Sequence, residues 1–297
     1  MNTIAHGTTS RTGLVSRRVK SLLALLLIVM MSILCSPGVL ADLRVAPVEL
    51  YLSNENPMGR IIVENRSDGP REIEVRFRFG YPVSNEQGDV TLYYADSSSQ
   101  DSHSAAHWIR AYPRRLVLQP GQQQTVRFAA RPPARLSEGE YWVRASISSR
   151  PLANDVENPD SQKSSVTTHL HVAFNTVIAV VFRQGKIDTG VELLAGKSSV
   201  ANNKVRVLVD LKRSGNGAYR GNLVGRLRTA DGRIIKTAKS EVAVYYQLRR
   251  AIDFDSSGLA RGSYTVEVEA NTDRQGTSPT DIVKAALVSK SFDITVP

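Results

Sequence analysis

The sequence is almost without cysteine: Cys35 is the single one among 297 residues. No disulfide can close within the chain, and a zinc site of several cysteines is excluded. Glycine and proline are scarce, at 20 and 13, while 41% of residues are hydrophobic and 22% charged. That balance excludes a collagen-like or disordered chain and makes a membrane bundle a poor fit. Helical periodicity over any long window is missing as well. There is no nucleophile elbow, no glycine-rich phosphate loop and no thiol near a base. An enzyme is therefore not expected, and neither is a cofactor such as ATP.

What is present begins with a charge asymmetry. Lysine and arginine number 38 against 28 acids, a net charge of +10. Part of this excess lies in Arg11, Arg17, Arg18 and Lys20, with no acid before Asp42. An apolar stretch from Leu22 to Leu34 follows, then Ser36-Pro-Gly-Val-Leu-Ala41. Basic, apolar and small-residue segments in that order form a signal peptide, with cleavage expected after Ala41. The apolar stretch is short for a bilayer span of about 20 residues. Residues 1–41 are thus read as an export signal, with no stable membrane insertion after its removal. An exported chain is not expected to meet nucleic acid.

From Asp42 onward the pattern is that of strands. Arg60–Glu64 alternates, and so does Glu72–Phe79: Ile73, Val75, Phe77 and Phe79 share one face, Glu72, Glu74, Arg76 and Arg78 the other. That is a half-buried antiparallel strand with a charged outer face. Val90–Tyr94, Arg115–Leu118, Thr125–Ala129 and Tyr141–Ile147 continue the pattern. Turn residues separate them at Ser67-Asp-Gly-Pro70, Gln87-Gly-Asp89, Gln119-Pro-Gly121 and Ser137-Glu-Gly139. Trp142 and Tyr141 read as core and sheet residues.

A polar stretch, Arg150–Ser165, reads as a long mobile loop. The longest strand candidate follows, Val166–Arg183. Leu170, Val172, Phe174, Thr176, Ile178, Val180 and Phe182 share one parity, and both faces become apolar toward its end. Gln184-Gly-Lys186 reads as a link between domains. Beyond it lie Lys204–Leu211, Leu223–Arg228, Ile234–Thr237, Glu241–Tyr245, Tyr264–Glu269 and Val288–Val296, with a hairpin signal at Asp231-Gly232. The expectation is an all-β protein: two immunoglobulin-like β-sandwiches in tandem, residues 42–184 and 185–297, each with about seven strands.

Candidate chemistry is thin. His169 and His171 share a strand face and would begin a metal site, but no third ligand is suggested nearby, so no metal is expected. His103 and His107 lie in a serine-rich loop with Asp96 and Asp101 and read as solvated. Arg71, Arg76, Arg78, Arg110, Arg114 and Arg115 form an arginine-rich surface able to face an acidic partner.

Several segments together resemble periplasmic pilus (fimbrial) assembly chaperones. They are Leu116-Val-Leu-Gln-Pro-Gly-Gln-Gln-Gln-Thr-Val-Arg-Phe128, Gly139-Glu-Tyr-Trp-Val-Arg144, the polar loop, and the long strand ending Val180-Val-Phe-Arg183. The opening Leu43-Arg-Val-Ala-Pro-Val-Glu-Leu-Tyr51 and Ile61-Ile-Val-Glu-Asn65 are similar to the family's first two strands. The resemblance spans roughly Asp42–Gly185 and is weaker beyond. It implies two sandwiches in a boomerang, a periplasmic location, a pilin-like or other fibre subunit as client and an outer-membrane usher as partner. It also implies that the long strand is lent to an incomplete subunit, with Leu170, Val172, Phe174, Thr176 and Ile178 filling the client's groove. Three buried apolar side chains contribute roughly 1.5–3 kcal/mol each before ordering costs.

The family holds the client's terminal carboxylate with two basic residues. Counting without gaps places those positions on Glu49 (or Val48) and Ala179, neither of them basic. Arg44 and Arg183 are the candidate substitutes. The alternative function is a structural or adhesin-like surface protein of two sandwiches, whose long strand is internal.

Overall fold

The computed structural model describes residues 42–96, 101–152 and 173–297. The expected signal peptide, Leu170, Val172, His169 and His171 lie outside these residues. So does most of the polar stretch, although its first residues, Arg150 and Pro151, belong to a strand. The architecture is all-β, with one three-residue 3-10 turn among the described residues, at Pro279–Asp281. Among the described residues no helix is long and apolar enough to cross a membrane.

The first half contains β1 (Leu43–Ala46), β2 (Glu49–Ser53), β3 (Met58–Asn65), β4 (Arg71–Arg78), β5 (Gly80–Ser84), β6 (Val90–Tyr94), β7 (Ile109–Tyr112), β8 (Arg115–Leu118), β9 (Gln123–Ala130), β10 (Gly139–Pro151) and β11 (Phe174–Gln184). They form one sheet in the order β1-β3-β9-β7, a second in the order β2-β11-β10-β4-β8, and a separate β5–β6 hairpin. Eleven strands stand where about seven were expected. The β1–β2 break, the hairpin and the split β7–β8 pair supply the excess; of these, β6 and β8 were legible as strands, while β5 and β7, of five and four residues, are too short to leave a clear period in the sequence.

The second half contains β12 (Thr189–Ala201), β13 (Lys204–Gly215), β14 (Tyr219–Thr229), β15 (Ile234–Val244), β16 (Gln247–Asp255), β17 (Gly262–Asn271) and β18 (Val288–Val296). Its sheets run β12-β13-β16 and β15-β14-β17-β18. The two segments read separately, Ile234–Thr237 and Glu241–Tyr245, are one strand, β15, with half-buried Ala238 carrying the pattern across the gap. β12 escaped notice because a register shift between Leu193 and Gly196 breaks its alternation.

Alternation explains the cores. Ile61 and Val63 of β3 are fully buried, as are Val126 and Phe128 of β9, and Ile61 is the register partner of Val126. Ile73 and Val75 of β4 join Val143, Ala145 and Ile147 of β10 and Ile178, Val180 and Phe182 of β11, all in the second sheet, and this set packs with the β3 and β9 residues in one cluster. A second cluster is built from Val205, Val207, Leu223, Leu227, Val266 and Val268. Asn65 pins the Ser67–Pro70 turn: its amide donates to the carbonyls of Gly69 (2.8 Å) and Leu118 (3.0 Å).

A third cluster joins the two halves. Trp142 of β10 and Val181 of β11, both fully buried, point away from the first core toward Ala218 and Tyr245. This two-sided burial is why the long strand becomes apolar on both faces. The β5–β6 hairpin reaches the same neighbour, where the Arg249 amide donates to Ser84 Oγ at 2.7 Å.

Candidate functional site

β11 is unequally covered. β10 pairs with it along its whole length, from Phe174↔Ser149 to Gln184↔Gly139. On the other edge β2 pairs only with Ala179–Arg183. The cause is local. The chain leaves the opposite sheet at Ala46 and enters this one at Glu49, with Pro47 between them unable to donate to a ladder. The first contact made is from the Ala179 amide to the Val48 carbonyl, at 3.1 Å. Backbone groups alternate along a strand, so those of Asn175 and Val177 point to the same edge as Ala179. Among the described residues no strand pairs with them there.

The inward face of the strand continues past the core at this open end. Phe174 is 45% exposed, Thr176 half-buried and Ile178 fully buried. Ile178 belongs to the chain's own core and is not free to fill another protein's groove, which corrects its place among the lent side chains. Phe174 and Thr176 stand where the core stops.

At the covered end, Ala179 and Glu49 are register partners. The two positions at which the resemblance places a basic pair are therefore neighbours in space. Glu49 brings a carboxylate instead. It accepts from Arg274 Nη1 at 2.8 Å and from Tyr51 Oη at 3.0 Å. Burial acts to raise its pKa, but the hydrogen bond and charge of Arg274, with Arg220 beyond, override it and hold the carboxyl below its ordinary value. Burial pushes Tyr51 up to about 12. A cleft of about 640 Å³ opens here between β2 and the 274–281 loop, lined by Val48, Glu49, Tyr51, Arg274 and Asp281.

Arg183 also reaches this region. Its Nε donates to Glu140 Oε1 at 3.0 Å, its Nη2 to the Asp281 carbonyl at 2.7 Å, and its guanidinium lies 4.4 Å from the Tyr51 ring centroid. Arg44 does not. It alternates with the core residues Leu43 and Val45, so it faces outward on the opposite sheet, 3.5 Å from Glu64. It is removed as a substitute anchor.

Glu140, fully buried, holds the joint between the halves. Arg220 Nη1 donates to its Oε2 at 2.7 Å, and the Ala218 amide to the same oxygen at 3.0 Å. Burial works against the charged form, yet the two guanidinium groups keep its pKa lowered. Glu140, Arg220 and Arg274 escaped the sequence reading because each acts through a partner far along the chain. Only Glu140 stood within a quoted motif.

Of the four residues read as solvated, Asp96 and His107 are exposed, whereas Asp101 and His103 are half-buried and packed. His103 stacks on Trp142 with centroids 4.9 Å apart and shares a hydrogen bond with the Glu140 carbonyl, while Asp101 accepts from Tyr246 Oη at 3.0 Å. The arginine-rich surface is largely committed as well. Arg71 pairs with Asp42, Arg76 and Arg115 share Glu74, Arg78 lies over Tyr94, and Arg114 donates to the Val75 carbonyl. Among the described residues no cluster of metal-ligating side chains forms.

No protein-family model matches the chain, and no curated protein does. Solved structures do match. The YadV chaperone is 11% identical with a TM-score of 0.42, over 86% of this chain and 100% of that one. A chain in the complex of Salmonella enterica SafA pilin with the SafB chaperone is 13% identical with a TM-score of 0.42, over 86% and 99%. The E. coli chaperone DraB is 15% identical with a TM-score of 0.39, over 86% and 98%.

Proposed function

We propose that the protein is a non-enzymatic, exported chaperone that caps an incomplete β-sandwich subunit of a surface fibre by pairing with it along β11. The observation that carries this reading is the open edge at Phe174–Ile178, beside a strand face whose last member, Phe174, is exposed. An open edge offers main-chain hydrogen bonds, and an exposed inward-facing side chain offers a plug for an apolar groove. Leu170 and Val172, on the same parity, extend that plug. The protein works in the periplasm with residues 1–41 removed, needs no cofactor, and passes its client to an outer-membrane usher. A client carboxylate arriving at the covered end meets Glu49 already closed by Arg274, and of the two candidate substitutes only Arg183, itself paired with Glu140, lies near enough to steer it.

Phe174→Glu tests this. The side chain is half-exposed in the free protein, so stability should move by no more than about 0.5 kcal/mol. Capture of any small exported protein that co-purifies with the wild-type chain should be lost, because an unpaired charge is strongly disfavoured in an apolar groove. A collapsed melt would identify the strand as internal and favour the surface-protein reading.

A further inference from the structure

Between the β5–β6 hairpin and strands β15 and β16 of the second half lies a cavity of about 290 Å³. That is close to the lower bound of ordinary small-molecule sites, about 300 Å³. Its apolar walls are Pro82 and Val90 of the hairpin and Val242 and Leu248 of the second half. Three guanidinium groups line it as well, those of Arg220, Arg250 and Arg274, together with the carboxylates of Glu49 and Glu241. No residue of β11 takes part, so the cavity is separate from the strand edge offered to a client.

The charges lining it are not matched. Glu49 is taken by Arg274 and Tyr51. Arg220 gives Nη1 to Glu140 and Nη2 to Tyr245 Oη, while its buried Nε has no hydrogen-bond partner among the described residues. Arg250 turns the Nε and Nη2 of its guanidinium onto one neutral atom, Ser240 Oγ, at 3.0 and 2.8 Å. That edge is the fork that suits the two oxygens of a carboxylate. The same edge of neighbouring Arg249 takes Asp210 at 2.6 and 2.9 Å, and that of Arg206 takes both oxygens of Asp253 at 2.7 Å. Of these three arginines, Arg250 is the one without an acid. Glu241 is exposed and forms no ion pair among the described residues.

From this mismatch we infer that the cavity binds a small monocarboxylic acid with a compact apolar body. The carboxylate takes the Arg250 fork in place of Ser240, and the body packs on Pro82, Val90 and Leu248. Arg220 and Arg274 add positive potential around the carboxylate. An inorganic oxyanion leaves the apolar walls uncovered, and an amine of the same shape meets three guanidinium groups. Because the walls come from both halves, a bound acid ties the hairpin to β16 and stabilises the joint.

The test is calorimetric titration of the full chain with sodium benzoate at constant ionic strength, with benzylamine as a contrast of similar shape and opposite charge. Benzoate should bind saturably and benzylamine should not. Arg250→Gln should weaken benzoate binding about tenfold, the worth of a charge-assisted hydrogen bond, while Arg233→Gln, exposed and outside the cavity, should change it less than about twofold. Glu241→Gln removes a repelling carboxylate and should tighten binding about twofold or more. Absence of saturable binding for both benzoate and hexanoate would overturn the proposal. Equal binding of benzylamine would overturn it too, as would sulfate competing as well as benzoate, which would make this a bare anion site. Should Arg250→Gln fold poorly, Glu241→Gln carries the test, since its side chain is exposed. Unchanged or weaker benzoate affinity in that variant would count against the proposal.

Discussion

Glu49 on β2 and Ala179 on β11 are parallel-strand neighbours, and the Glu49 carboxylate is closed by Arg274 of the second half at 2.8 Å. Where the family resemblance places two positive charges for a client carboxylate, this chain supplies its own carboxylate and its own arginine. The cleft end of β11 is thereby tied to the second half.

Removing Arg274 should expose this tie. Arg274→Ala leaves Glu49 largely buried without its main partner and should destabilise the protein by about 1–3 kcal/mol at pH 7. The carboxyl's folded pKa is depressed from 4.5, so the pair's contribution is present above that value and is lost as pH falls through the lower folded pKa. Thermal melts of wild type and variant should differ at pH 7, begin to approach each other below about pH 4.5 and meet only below the lowered folded pKa. A constant gap across that range would assign the loss to packing instead of charge.

Glu140 offers a stronger effect. Glu140→Gln leaves Arg183 and Arg220, with side chains 16% and 7% exposed, facing no negative charge at this point. Breaking a buried pair in this way costs about 3–5 kcal/mol. Urea unfolding followed by tryptophan fluorescence should register it directly, since Trp142 lies two residues along the same strand. A midpoint close to wild type would mean that water replaces the carboxylate at the joint.

The β5–β6 hairpin can be tested through two glycines. Gly88 and Gly232 have φ of +81° and +84°, a region unfavourable to other residues. A Cβ at Gly88 would lie 2.7 Å from the Ala251 amide nitrogen, whereas one at Gly232 meets nothing within 4 Å. Gly232→Ala should cost about 1 kcal/mol of strain alone, and Gly88→Ala distinctly more. Equal losses would show that the hairpin does not rest on the second half.

What was legible in the sequence was periodic. Ile73 and Val75, Ile61 and Val63, and Val126 and Phe128 alternate along strands where half-burial demands it, and the structure buries each of them. The apolar end of the long strand was legible too, though its cause, a second half packed on Val181 and Trp142, was not. The joint stayed hidden for a physical reason. Glu140 finds Arg220, and Glu49 finds Arg274, across loops of many residues, and such pairing leaves no local period. β16 was missed for a similar reason. Arg249 and Arg250 interrupt its apolar pattern, and Arg249 is explained only by Asp210 on the neighbouring strand at 2.6 Å.

Amide hydrogen exchange along β11 measures the open edge itself. Among the described residues no strand faces the amides of Asn175 and Val177, while Val181 on the same edge is covered by β2 and Thr176 by β10. The account predicts fast exchange at Asn175 and Val177, slow exchange at Val181 and Thr176, and protection of the first two when a fibre subunit is bound. Protection of Asn175 and Val177 in the free chain, equal to that of Val181, would contradict it.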